Sequence, residues 1–222
     1  MKIGVVLSGC GVMDGSEIHE AVLTLLAIDK AGHEAVCMAP NVEQSEVINH
    51  VTNAPMKEKR NVLVESARIA RGRIRDIKGV KGSDIDALIF PGGFGAAKNL
   101  CDFAASGPDC KAHPDVARLI QEVHRAEKPI GAICIAPALI ARVFQGKGVT
   151  LTIGNDPETT GALQKMGARH RECTVKEFAV DEKNKIVSTP AYMLARSIKE
   201  AQLGIEKLVG KVIELAQVHQ TA

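Results

Sequence analysis

The sequence predicts an α/β protein built on a mostly parallel sheet covered on both faces. Three observations lead there. Short continuous apolar runs, which suit strands buried on both sides, alternate with segments of helical periodicity. Most of these runs end at or next to glycine or proline. No stretch stays apolar and uncharged over the roughly 18 residues that a membrane span needs.

Lys2 to Leu7 is the first strand, and it ends in glycines. Ser16 to Ala31 is a helix with Ile18, Val22, Leu25 and Leu26 along one apolar face, stopped at Gly32. Glu34 to Met38 is the second strand, broken at Pro40. Asn41 to Lys78 reads as an insertion, with a helix across Arg60 to Arg71 and short strands at Val47 to His50 and Arg73 to Ile77. The alternation then resumes: strand Ile85 to Phe90, helix Val116 to Ala126, strand Pro129 to Ile133, helix Ile135 to Phe144. Val149 to Ile153 and Lys185 to Thr189 are further strands. A last helix runs from about Ala191 to Ala216, with Gly204 and Gly210 as possible breaks.

Composition narrows the function. A net charge of +2 argues against a nucleic-acid surface. The basic residues Lys57, Lys59, Arg60, Arg68, Arg71, Arg73 and Arg75 are interrupted by Glu58, Glu65 and Asp76, as in a solvated face. With Tyr192 the only tyrosine and no tryptophan, base-stacking platforms are not expected. The six cysteines show no metal or disulfide-framework spacing. Reduced thiols in a cytoplasmic protein are therefore expected, without a metal. The amino-terminal apolar run is too short for a signal peptide.

Three glycine-rich turns follow strands. Ser8 to Gly15 superficially fits a dinucleotide fingerprint, but Ala39-Pro40 stands where an acidic residue should hold the ribose. Pro91 to Lys98 lacks the Lys-Ser or Lys-Thr pair of a phosphate loop. Its glycines permit close backbone approach, and the Gly93 amide could donate to developing negative charge; a tight turn alone is the alternative. In the third, Gly131-Ala-Ile-Cys-Ile-Ala136, Cys134 sits at a strand-to-helix junction with small flanking residues, the context of a nucleophile elbow. A helix amino terminus supplies up to about 2 kcal/mol, which would lower a thiol from about 8.5 by roughly 1.5. A buried inert cysteine is the alternative, and is the reading for Cys37 and Cys173.

Ser8 to Glu20, Phe90 to Asn99, Cys134-Ile-Ala-Pro137 and Asn184 to Met193 together resemble the ElbB-type enhancing-lycopene-biosynthesis family. That family lies within the PfpI-like class I glutamine amidotransferase-like superfamily. The resemblance covers nearly the whole chain. It implies one flavodoxin-like three-layer sandwich over residues 1–222, with an insertion at about 41–78, usually dimeric. It also implies a carboxylate from the start of the first helix beside the elbow cysteine, here Glu17, and oxyanion donors at the amides of Gly93 and Ile135.

Departures from related activities matter too. PfpI-type peptidases carry a histidine directly after the cysteine, where this chain has Ile135. Amidotransferases have a glycine two residues after it and a late His-x-Glu pair; this chain has Ala136 and no such pair. Neither peptidase nor glutaminase activity is expected. Gly154-Asn-Asp156 stands where the usual third, histidine position lies. His170 reads as a surface or satisfied histidine, and His19, two residues from Glu17, should point to another face.

The resulting expectation is a cofactor-independent glyoxalase of the lyase type acting on a small dicarbonyl. Cys134 would form a hemithioacetal and Glu17 would move a proton between the two carbons, giving a 2-hydroxy acid. Deglycation of proteins would begin from the same chemistry. A non-catalytic redox or regulatory role, with Cys134 oxidised to a sulfinic acid, is the alternative.

Overall fold

The computed structural model describes residues 1–221. Its centre is a seven-stranded sheet. In chain order the strands are β1 (Lys2–Val6), β2 (Glu34–Ala39), the short pair β3 (Ile48–Asn49) and β4 (Ala54–Pro55), then β5 (Ile74–Asp76), β6 (Ala87–Phe90) and β7 (Ile130–Ile133). β8 (Thr150–Leu151), β9 (Arg169–His170), β10 (Ala179–Asp181) and β11 (Ile186–Thr189) follow. The sheet order is β10-β11-β7-β6-β1-β2-β5, and every pair is parallel except β10 with β11.

Among the described residues, eight α-helices accompany them: α1 (Ile18–Lys30), α2 (Val62–Ile69), α3 (Phe94–Lys98), α4 (Phe103–Ser106), α5 (Pro114–Arg125), α6 (Pro137–Val143), α7 (Pro157–Lys165) and α8 (Ile198–Thr221). Because side chains alternate across a strand, Leu88 and Phe90 of β6 join the α5–α6 side of the core, while Ala87 and Ile89 join the α1–α8 side. Gly131 of β7 leaves room for α8: a Cβ there would meet Leu208 at 3.0 Å and Val212 at 3.2 Å. The result is the α/β fold that the residue pattern predicts, arranged as the three-layer, flavodoxin-like sandwich that the resemblance implies.

Several elements differ from expectation. The face of α1 that packs inward is Glu20, Ala21, Thr24, Ala27 and Ile28. Ile18, Val22 and Leu26 are instead 42, 48 and 45% exposed. A polar anchor overrides hydrophobic periodicity here, because the fully buried Glu20 is held from three sides by the site described below. Val149 to Ile153 shrinks to β8, which pairs with β9 in a separate ladder and not with the main sheet. Ala191–Met193 is a single 3₁₀ turn, and α8 starts only at Ile198. α8 then runs unbroken through Gly204 and Gly210. Gly204 is required by proximity, since a Cβ there would lie 2.5 Å from Thr189 Oγ1 and 2.6 Å from the Val175 carbonyl. The helices α3, α4 and α7 were not legible in the sequence.

The segment read as an insertion takes part in the main fold. Its β5 is the edge strand beside β2. It also braces the first glycine-rich turn: Ser66 Oγ accepts from the Gly9 amide at 2.8 Å, and Asp14 Oδ2 accepts from the Ile48 amide at 2.8 Å. Its charges are paired on the surface, Arg60 with Glu58 and Lys59 with Glu43. Among the described residues, no helix is long and apolar enough to cross a membrane.

Candidate active site

The three glycine-rich turns converge at the carboxyl ends of β1, β6 and β7. The first two are pressed together. A Cβ on Gly93 would fall 2.4 Å from the Gly15 carbonyl, and one on Gly95 would fall 2.5 Å from Gly15 Cα. Asn99 ties them, donating through Nδ2 to the carbonyls of Ser8 and Asp14, both at 2.9 Å. These glycines serve backbone packing, which explains a dinucleotide-like pattern without a dinucleotide site.

Cys134 follows β7 with φ of 60°, in the left-handed region that non-glycine residues rarely occupy. Its amide donates to the Thr189 carbonyl at 2.9 Å, which holds the strained turn in place. The side chain is only 8% exposed, and it forms part of a cavity of about 430 Å³. Val12, Phe94 and Met193 give that cavity its apolar wall.

The carboxylate that meets the sulfur is Glu20, not Glu17. Glu20 is completely buried and hydrogen-bonds to Cys134. Its Oε2 accepts from the Gly92 amide at 2.9 Å and its Oε1 from the Tyr192 amide at 3.1 Å. Gly92 must be glycine, because a Cβ there would sit 2.4 Å from Cys134 Cβ and 2.5 Å from Glu20 Oε2. Glu17 is the amino-terminal cap of α1. Its backbone is extended and its Oε2 accepts from the Glu20 amide at 2.7 Å. As a cap it turns its carboxylate into the cavity, one helical turn before the residue that reaches the sulfur. The signal available in the sequence was the i, i+3 spacing of the two glutamates, which places both on one side of the helix start.

Burial dominates the electrostatics. It pushes the Glu20 carboxyl up to about 8, against the pull of the Tyr192 and Gly92 amides and the Cys134 thiol. Burial, followed by the Glu20 charge, pushes the Cys134 thiol well above the usual range. The amides of Gly93 and Ile135 act the other way, favouring negative charge on the sulfur. The lowered thiol expected from the helix terminus is therefore not what the structure gives. α6 begins three residues beyond Cys134, and desolvation outweighs its field. Cys134 and Glu20 form a proton-rich pair at neutral pH.

Among the described residues, no histidine lines the cavity. His170 Nε2 lies 3.4 Å from the Ile153 amide, away from the sulfur. In the expected third position Asp156 faces the cavity as the cap of α7, and bonds from Thr159 hold its carboxyl below the usual range. His19 does return to the site: its Nδ1 is 2.8 Å from the Tyr192 hydroxyl and 3.9 Å from Glu17 Oε1. Tyr192, which sequence reasoning did not single out, also lines the cavity. Its position after β11 offered no periodic signal. Cys37 is buried and pushed up to about 11, as an inert core thiol would be.

Residues 10–192 match the DJ-1/PfpI family. The chain belongs to that family. The human glutamine amidotransferase-like class 1 domain-containing protein 3, mitochondrial, is 47% identical over 96% of this chain and 83% of its own length. The zebrafish ES1 protein, mitochondrial, is 40% identical over 86% of this chain and 77% of its own length. Among solved structures, an isoprenoid biosynthesis protein with an amidotransferase-like domain from Ehrlichia chaffeensis superposes with a TM-score of 0.91. It is 38% identical and covers 97% of this chain and 99% of that one. Drosophila DJ-1beta, 18% identical with a TM-score of 0.55, shares the fold. The DJ-1/PfpI family includes glyoxalases, proteases and regulatory members. The mitochondrial names of the vertebrate relatives give no support to the cytoplasmic placement expected from the cysteines.

Proposed function

We propose that this DJ-1/PfpI protein is a cofactor-independent glyoxalase-type enzyme that converts a dicarbonyl to a 2-hydroxy acid. The observation that carries the reading is Cys134, held in a left-handed elbow against the buried Glu20, with the Gly93 and Ile135 amides favouring negative charge beside it.

Because the thiol is not pre-ionised, attack needs a base, and Glu20 is already hydrogen-bonded to it. In its ionised form, a minority at neutral pH, Glu20 takes the thiol proton as the sulfur bonds to the aldehyde carbon. The carbonyl electron pair moves to oxygen beside the Gly93 and Ile135 amides, and protonation of that oxygen gives the hemithioacetal. Glu17, which faces the cavity, removes the hydrogen on that carbon and returns it to the neighbouring one. A thioester results, and water cleaves it to the 2-hydroxy acid and free thiol. The two glutamates thus divide the work, one serving sulfur and the other carbon.

A cavity of about 430 Å³ falls in the range that holds drug-sized ligands, far larger than glyoxal. Substituted dicarbonyls such as phenylglyoxal are therefore the better substrates. The test follows 2-hydroxy acid formation from glyoxal and phenylglyoxal with wild type, Cys134→Ser, Glu20→Gln and Glu17→Gln. Loss in all three variants supports the mechanism, and equal rates overturn it.

One observation favours a second, regulatory reading. A protonated Glu20 against the sulfur could donate to a sulfinate oxygen. The raised thiol works against it, since the thiolate is the form that peroxide attacks. A gain of two oxygens on Cys134 at low peroxide, seen by intact mass, would favour this reading. Within the family, the motifs and the 38% identity to the Ehrlichia protein favour the enhancing-lycopene-biosynthesis branch, whereas the 47% identity to the human protein favours the branch of the mitochondrial ES1-type relatives.

A further inference from the structure

The proposed mechanism uses a cysteine and two glutamates; of the other polar residues on the cavity wall, Asp156 and Thr159 bond to each other, and Tyr192 is left without a role. Tyr192 lies on the turn after β11, and its backbone amide is fixed by Glu20 Oε1. Its hydroxyl is 2.8 Å from His19 Nδ1. The His19 side chain is 48% exposed and sits 3.9 Å from Glu17 Oε1. A continuous path therefore runs from the cavity through a phenol to an imidazole open to water. Burial, and then the charges of Glu17 and Glu20, raise the phenol, so it enters the reaction as a proton donor. An imidazole has one ring nitrogen to meet the phenol and a second with which to exchange protons with water.

We propose that Tyr192 is a catalytic acid–base group that carries protons between the two oxygens of the bound dicarbonyl, with His19 as its positioning residue and link to solvent. This rests on the glyoxalase-type reading. When Glu17 removes the hydrogen from the sulfur-bearing carbon, a carbon–carbon double bond forms and the second carbonyl's electron pair moves onto its oxygen. Tyr192 gives that oxygen its proton, and the enediol is neutral. Glu17 then returns its proton to the second carbon. The oxygen on the sulfur-bearing carbon loses its proton to the Tyr192 phenolate as the thioester carbonyl forms. Tyr192 ends as it began, with no proton gained or lost. His19 holds the hydroxyl in line and restores its proton from water if the phenolate is released early. The pair stands in for the histidine absent from the cavity wall.

The experiment uses phenylglyoxal with wild type, Tyr192→Phe and His19→Gln. Two quantities are read: kcat for 2-hydroxy acid formation, and hemithioacetal formation, measured as protection of Cys134 from alkylation by the aldehyde. Tyr192→Phe keeps the ring and its packing. It is expected to lower kcat by about 10²–10⁴-fold, the usual worth of a general acid–base group, while protection changes little. His19→Gln is expected to lower kcat less than Tyr192→Phe does, with added imidazole restoring part of the loss. Wild-type kcat in Tyr192→Phe, or parallel losses of kcat and protection, would overturn the proposal while leaving the Cys134 chemistry standing. A wild type that forms neither adduct nor product would overturn the parent reading instead.

Discussion

Glu20→Gln tests the physical state of the site through stability rather than activity. In the unfolded chain this carboxyl gives up its proton near the ordinary 4.5; in the fold it does so at about 8. Between those values the folded state binds the extra proton, so stability falls as pH rises. At about 1.4 kcal/mol per pH unit, the whole span is worth roughly 5 kcal/mol, fully present below 4.5 and lost by the time pH passes 8. Glutamine cannot titrate, but it carries a cost of its own. Both carboxyl oxygens accept backbone N–H groups, from Gly92 and Tyr192, and an amide nitrogen can accept neither. One buried donor is left without a partner, at about 1–3 kcal/mol. The variant should therefore be the less stable protein at pH 4.5, draw level roughly one to two pH units higher, and lead by about 1–3 kcal/mol at pH 8. Urea unfolding followed by circular dichroism at pH 5, 6, 7 and 8 gives the difference directly. Parallel stability profiles for the two proteins would refute the claim that burial keeps Glu20 protonated.

Gly92→Ala should push Cys134 and Glu20 apart, because the new Cβ would lie within 2.5 Å of both. Overpacking of this kind costs about 1–3 kcal/mol, so a lower melting temperature and loss of turnover are expected; wild-type turnover would show that the contact is not needed. Alkylation of Cys134 by iodoacetamide, read by mass against Cys134→Ser, should keep accelerating through about pH 8, where Glu20 loses its proton. A plateau by pH 7 would mean a pre-ionised thiol and sink the base role of Glu20. A homodimer built on the exposed stripe of Ile18, Val22 and Leu26 on α1 is a further expectation to test. Val22→Glu should convert a dimer to a monomer in sedimentation, and an unchanged mass would place the interface elsewhere.

Much of the fold was legible because parallel strands buried on both faces leave continuous apolar runs, as Ile3 to Leu7 and Ala87 to Phe90 do. Of the missed helices, α7 spans nine residues but buries only Leu163, so no apolar stripe marks it, and the other two are short. α3 and α4 span five and four residues and are held by their neighbours, not by a periodic pattern. The orientation of α1 was misleading for a different reason. Its strongest apolar stripe faces outward, and its buried side is organised around a carboxyl group.

What the sequence by itself determined was the elbow at Cys134 and the glycines around it, because a tight strand-to-helix turn restricts residue choice locally. Which carboxylate meets the sulfur was decided only by tertiary structure. Glu17 and Glu20 are alike in type and one helical turn apart. The capping of α1 sends the first into the cavity, and the amides of Gly92 and Tyr192, from turns far away in sequence, draw the second under the cysteine. Tertiary packing likewise reversed the state of the thiol. A helix terminus lowers a cysteine only where water still reaches it, and here burial beside a carboxyl group raises it instead.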